Sequence, residues 1–148
     1  MEHRILEGLA PERVFHFFED LCRIPHGSGN TKAISDYCVM FAKARGLRYI
    51  QDSSNNVVIF QGGTPGYEDH PPVILQGHMD MVCAKDPDVA FDFTKDALRL
   101  KIEDGCVTAD GTTLGGDDGI AVAYALAVLD DPDIPHPPLE ALFTVDEE

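Results

Sequence analysis

The chain has 148 residues, of which 44% are hydrophobic and 25% charged, enough to build one folded domain and unlike collagen-like or disordered chains. Its 26 acidic residues outnumber 11 basic ones, and the net charge of −15 argues against nucleic acid or an anionic membrane as a partner. No stretch is apolar and long enough for a signal peptide or a membrane span, and the four cysteines form no C-x-x-C pair. These features predict a cytoplasmic protein with reduced thiols.

Apolar spacing and turn residues predict helices that alternate with strands. The predicted helices are residues 11–24, a segment from a cap at Asn30 to a stop at Gly46, and residues 120–131. The predicted strands are residues 47–52, 56–60, a buried strand at 72–78, a hairpin at 98–110 that turns at Asp104-Gly105, and 138–145. This order predicts an α/β fold with a mixed, largely parallel sheet flanked by helices.

A histidine and an aspartate follow the buried strand, in the segment VILQGHMDMV at 73–82. Because side chains two apart on a strand point the same way, Asp80 is expected beside the imidazole of His78. A carboxylate that accepts from one ring nitrogen leaves the other as a metal ligand. The structural alternative is a histidine that only bonds to a turn.

Paired acids stand between glycines in LGGDDGI, residues 114–120. Asp117 and Asp118 precede an apolar helix, so an N-cap is the structural alternative. Two acids exceed what a cap needs, and glycines let backbone approach a ligand closely.

The last strand is followed by Asp146, Glu147 and Glu148. Such a run is commonly a solvated loop. Together with the imidazole and the paired acids, however, it completes a set of nitrogen and oxygen ligands that suits Zn²⁺, Mn²⁺ or Co²⁺ in a hydrolytic site.

The three motifs in this order resemble those of the co-catalytic metallopeptidases related to carboxypeptidase G, peptidase T and peptidase V. Four segments carry a closer resemblance, to the N-terminal part of bacterial aminoacyl-histidine dipeptidase, the peptidase D or carnosinase-like branch. They are IPHGSGNTKAISDY, PPVILQGHMDMV, FDFTKDALRLKIEDGCVTADGTTLGGDDGIAVAYALAVL and PLEALFTVDEE. Together they cover nearly the whole chain.

The resemblance implies a role for each matching residue. His78 binds one metal ion, Asp117 bridges two, and Glu148 binds the other. Asp80 orients the imidazole, and Glu147 is the general base that takes a proton from the attacking water. The implied cofactor is a pair of Zn²⁺ ions, with Co²⁺ or Mn²⁺ as alternatives. The implied reaction is hydrolysis of small peptides, Xaa-His dipeptides of the carnosine type, by a homodimer.

The resemblance also shows a departure at the paired acids. The dipeptidase branch has Asn and Gly after the bridging aspartate, whereas Asp118 and Gly119 stand here. The added charge of Asp118 is expected to raise metal affinity. Because the family holds this peptide bond in the cis form, a cis Asp117–Asp118 bond is predicted.

The family's remaining ligands and its second domain, which closes over substrate and mediates dimerisation, have no counterpart in these residues. Residues 1–148 are therefore expected to be the N-terminal portion of a truncated zinc-peptidase catalytic domain. We expect this chain to be inactive alone and to bind metal weakly. We also expect an uncovered sheet edge with exposed apolar surface.

Three other interpretations stay open. An amidohydrolase of the same superfamily, which removes acyl groups from amino acids, shares the metal chemistry. A non-catalytic binding protein can keep the fold, although retention of all five candidate residues weighs against it. A structural Ca²⁺ or Mg²⁺ site fits His78 poorly, because these ions prefer all-oxygen ligands.

Overall fold

The computed structural model describes residues 3–148, which form three helices and six strands. The helices are α1 (Glu12–Cys22), α2 (Lys32–Ala44) and α3 (Gly116–Asp130). The strands are β1 (Arg48–Gln51), β2 (Val57–Gln61), β3 (Val73–His78), β4 (Leu100–Glu103), β5 (Cys106–Ala109) and β6 (Leu139–Thr144). Each predicted element is present. Within the described residues, no helix combines the length and apolar character needed to cross a bilayer.

The second helix begins one residue later than its predicted cap implies. Thr31, not Asn30, occupies the N-cap position of α2. The N–H of Asn30 donates to the carbonyl of Gly27 at 2.8 Å, so Asn30 belongs to a turn of the preceding loop. The predicted stop is confirmed. Gly46 has a φ of +64°, a conformation that glycine adopts without steric cost, two residues after the helix ends.

Four strands form one mixed sheet in the order β1-β2-β6-β3. The β1–β2 and β2–β6 pairs are antiparallel, and β6 runs parallel to β3. The mixed α/β class is thus confirmed. Fewer strand pairs are parallel than predicted, because β2 lies between β1 and β6 and runs opposite to both. The predicted hairpin, β4 with β5, is separate, and Asp104 and Gly105 at its turn both have positive φ.

Helices α2 and α3 pack on one face of the sheet, and α1 packs on α3. That face carries Val57, Ile59, Ala141 and Phe143, all fully buried. Helix α3 packs against β3 and is itself buried, with Val122, Ala123 and Leu126 fully covered.

The prediction that β3 is buried is wrong for its first half, where Val73 is 44% and Ile74 60% exposed. Within the described sheet, β3 is an edge strand, and no described helix covers the face that bears Ile74. Ile50, on the same face, is also half exposed. The expectation of an uncovered edge and exposed apolar surface is confirmed.

Candidate metal centre

The candidate residues meet where two parallel strands end. His78 is in register with Thr144, and the N–H of Met79 donates to the Thr144 carbonyl at 2.7 Å. The segments that follow β3 and β6 therefore leave the sheet side by side, at the edge where open α/β sheets bind ligands. The start of α3 forms a third side. It can approach because Gly77 has no side chain: a Cβ there would lie 3.1 Å from the Cβ of Ala121.

His78 lies at the centre of this group and is 6% exposed. Its Nδ1 faces two oxygens of Asp80, the main-chain carbonyl at 3.0 Å and the carboxylate Oδ1 at 3.3 Å. Its Nε2 lies 3.0 Å from Oδ1 of Asp117 and 3.7 Å from Oε2 of Glu147. Asp80 thus holds one ring nitrogen and directs the other at carboxylates.

The electrostatic surroundings of His78 favour a cation. Burial by itself lowers the pKa of the imidazole, but the hydrogen bond to Asp117 and the charges of Asp80 and Asp118 outweigh it and raise the pKa above its ordinary value. The same negative field favours a metal ion at Nε2, where it competes with the proton.

The paired acids do not cap α3. The N-cap is Gly115, with a φ of +71°, and no side chain makes a capping hydrogen bond there. Asp117 and Asp118 have non-helical dihedrals, and the bond between them is cis, as predicted. The side chain of Asp117 is 84% exposed toward the site, and Oδ2 of Asp118 accepts the N–H of His78 at 3.4 Å. The capping alternative is therefore excluded.

The segment after β6 is held by the carboxylate of Asp80, which is 1% exposed. The N–H of Glu147 donates to Oδ1 at 3.2 Å, and the N–H of Glu148 donates to Oδ2 at 3.1 Å. Burial alone would raise the pKa of Asp80, but the hydrogen bonds from Ser28, Glu148 and Glu147 outweigh it and hold the pKa below its ordinary value. Asp80 stays ionised, and the segment is not a free solvated loop.

Among the described residues, two groups of possible ligand atoms each converge within 4.8 Å. One is His78, Asp117 and Asp118, and the other is His78, Glu147 and Glu148. One imidazole with several carboxylates is a donor set that zinc, manganese and cobalt accept. The residues present therefore fit a divalent metal centre. The five candidate residues lie close together in the structure, their roles stay predictions, and Asp146 lies outside both groups.

A cleft of about 360 Å³ opens beside these residues. Asp117 and Glu148 line one part of it, and the rest is lined by Val82 and by residues 113–116. It places a small, partly apolar space directly against two of the candidate ligands.

Sequence reasoning missed the loop at 26–30. The hydroxyl of Ser28 donates to Oδ2 of Asp80 at 2.6 Å, and the N–H of Gly29 donates to Oδ1 of Asp146 at 2.7 Å. A serine between two glycines is a weak signal, and nothing local shows that its partner lies 52 residues away.

The chain is similar in sequence and fold to known peptidases. No protein-family model matches the chain. The chain is 43% identical over 143 residues to the cytosol non-specific dipeptidase of Escherichia coli (strain K12). The matched residues cover 97% of this chain and 30% of that protein. The structure of aminoacylhistidine dipeptidase from Vibrio alginolyticus matches with a TM-score of 0.95 and 42% identity, over 99% of this chain and 30% of that one.

The chain is homologous to these dipeptidases. It spans 30% of the length of each. A tripeptidase from Staphylococcus aureus has a similar fold, with a TM-score of 0.71 and 26% identity over 91% of this chain and 36% of that one. The predicted resemblance and the α/β fold are both confirmed by these matches.

Proposed function

We propose that these residues form part of a dinuclear metal centre that hydrolyses dipeptides, Xaa-His dipeptides included. One observation carries the proposal. His78 has its Nδ1 tied to Asp80 and its Nε2 directed at the carboxylates of Asp117 and Glu147, within 3.7 Å. Homology to two dipeptidases supports the choice of substrate class.

In this proposal, His78, Asp117 and Glu148 would hold the two cations. Zn²⁺ is our first choice because it accepts both imidazole and carboxylate ligands, and Co²⁺ or Mn²⁺ are alternatives. Asp80 keeps the imidazole oriented. Asp118 contributes negative charge beside the cations.

When bound there, the cations would supply polarisation of the scissile carbonyl and a lowered pKa of the attacking water. The protein supplies the proton transfers. The side chain of Glu147 is 62% exposed and ends 3.7 Å from the imidazole, so it is free to accept a proton from the attacking water. It then gives that proton to the leaving amine. The cleft beside Asp117 and Glu148 has room for a substrate of dipeptide size.

We further propose that residues 1–148 correspond to the N-terminal portion of a longer catalytic domain. The coverage of 30% of each relative supports this. The remaining ligands and the second, lid and dimerisation, domain would then lie outside these residues, and the whole protein would be a homodimer. A cytoplasmic location is proposed because the Escherichia coli relative is cytosolic by name.

The test is a chimera in which this chain replaces the matching residues of the Escherichia coli dipeptidase. We expect the chimera to hydrolyse Xaa-His dipeptides, and the 148-residue chain to show no turnover alone. Glu147→Gln in the chimera should lower kcat by about 10²- to 10⁴-fold while metal content stays unchanged. A folded, metal-loaded chimera without dipeptidase activity contradicts the proposal, and turnover of acyl-amino acids instead would favour the amidohydrolase.

A further inference from the structure

The carboxylate of Asp80 receives more hydrogen bonds than orientation of an imidazole requires. Besides His78, three donors reach it: the hydroxyl of Ser28 and the N–H groups of Glu147 and Glu148. Oδ2 accepts from the Ser28 hydroxyl and the Glu148 N–H, and Oδ1 accepts from the Glu147 N–H. Nδ1 of His78 lies 3.3 Å from Oδ1, while its hydrogen bond goes to the Asp80 main-chain carbonyl. A buried carboxylate needs such a complete set of partners to stay charged.

The geometry around Asp146 explains why two successive N–H groups point the same way. Asp146 has a φ of +55°, in the left-handed region that non-glycine residues rarely adopt. Beyond this bend, the N–H groups of Glu147 and Glu148 converge on one carboxylate, as successive backbone N–H groups do around anions. The N–H of Gly29 donates to the Asp146 side chain at 2.7 Å and supports the bend.

The loop at 26–30 therefore contacts the segment after β6 in two ways. Gly29 binds Asp146 directly, and Ser28 acts through Asp80. The hydrogen bond from the Ser28 hydroxyl, at 2.6 Å, is the shortest of the Asp80 contacts. It is charge-assisted because its acceptor is an ionised carboxylate. It fixes the carboxylate plane, since it binds the oxygen opposite the one that faces the imidazole.

We propose that Ser28 is a positioning residue of the site, which orients the Asp80 carboxylate and through it the backbone of Glu147 and Glu148. The metal-binding consequence rests on the proposed function, whereas the backbone consequence does not. Without the hydroxyl, Asp80 keeps its N–H donors but loses its shortest hydrogen bond, so the carboxylate and the two N–H groups bound to it are held less tightly.

The test compares Ser28→Ala, Ser28→Thr and Ser54→Ala, the last being an exposed serine in the β1–β2 turn. Ser28 is itself exposed as a residue, so its truncation should leave the fold intact, as the urea midpoint will show. In the metal-free chain, amide exchange at Glu147 and Glu148 should become about 10-fold faster in Ser28→Ala. Ser28→Thr, which keeps the hydroxyl, and Ser54→Ala should match wild type.

A Zn²⁺ titration of the same variants separates the two claims. If Ser28→Ala loses about 10-fold in affinity and its two amides exchange faster, both are supported. If wild type binds no Zn²⁺ but the amides respond as expected, the positioning role stands and the proposed function fails. Unchanged amide exchange in Ser28→Ala overturns the positioning role, whatever the metal affinity does.

Discussion

A methyl group at Gly77 should damage both the fold and the site. A Cβ at Gly77 would lie 3.1 Å from the Cβ of Ala121, 3.2 Å from Oδ2 of Asp118 and 3.3 Å from the main-chain N of Val122. All three distances are below ordinary van der Waals contact, and the third involves helix backbone, which moves only with the whole of α3. Helix α3, including its start at Asp117 and Asp118, therefore has to shift by a few tenths of an ångström.

The size of the effect follows from two opposing terms. Overpacking a filled site costs about 1–3 kcal/mol, whereas replacing glycine by alanine restricts the unfolded chain and returns about 0.4–1 kcal/mol. We expect Gly77→Ala to lower the free energy of unfolding by about 1–2 kcal/mol, and Tm by about 3 to 6 °C. Because Asp117 lies at the start of α3 and moves with this helix, Zn²⁺ affinity should fall as well.

Urea unfolding followed by circular dichroism measures the first effect, with calorimetry for the second. Gly62→Ala is the matched control, because a Cβ there meets no atom within 4 Å. Gly62→Ala restricts the unfolded chain as Gly77→Ala does but overpacks nothing, so its free energy of unfolding should equal or exceed that of wild type. If Gly77→Ala also equals wild type within about 0.5 kcal/mol, the close approach of α3 to β3 does not set the geometry of the site.

Two further variants test charges in the fold and in the site. Asp130 pairs with Arg13 and Arg45; burial raises the pKa of Asp130, but these guanidinium partners outweigh it and lower the pKa. Its stabilisation is thus complete above the ordinary carboxyl pKa and lost as pH falls through the depressed value. Asp130→Asn should cost about 1 kcal/mol at neutral pH, and this difference should begin to shrink below about pH 4 and vanish below the depressed pKa of Asp130; a difference independent of pH in urea titrations would refute the pairing. Asp118→Asn should weaken Zn²⁺ binding about 10-fold, since it removes a charge beside His78, and equal calorimetric affinities would show that Asp118 does not contribute.

The sequence predicted the elements well because apolar periodicity and turn residues are local signals. The spacing of His78 and Asp80, and the glycines around Asp117, likewise predicted that these side chains belong to one cluster, and the structure brings them together. The sequence predicts a cap at Asn30 because a cap and a turn use the same residue types, and only the hydrogen bond of Asn30 to Gly27 distinguishes them. Local patterns identify residue classes better than partners.

Long-range pairings were not predictable in the same way. An apolar run such as residues 73–75 suits a buried strand or an exposed edge equally, and only the strand order decides. The bond from Ser28 to Asp80 likewise depends on how the loop at 26–30 folds against β3. Such contacts are set by tertiary packing, which a single sequence does not display.

Calorimetric titration of Zn²⁺ into the 148-residue chain, beside a His78→Ala and Asp117→Ala double variant, tests the central claim most directly. His78 Nε2 and Asp117 Oδ1 lie 3.0 Å apart, so the two substitutions remove one side of the proposed centre together. We predict weak binding to wild type that disappears in the double variant, with unchanged circular dichroism. Equal binding by both proteins, or none by wild type, would contradict the metal roles assigned to these residues.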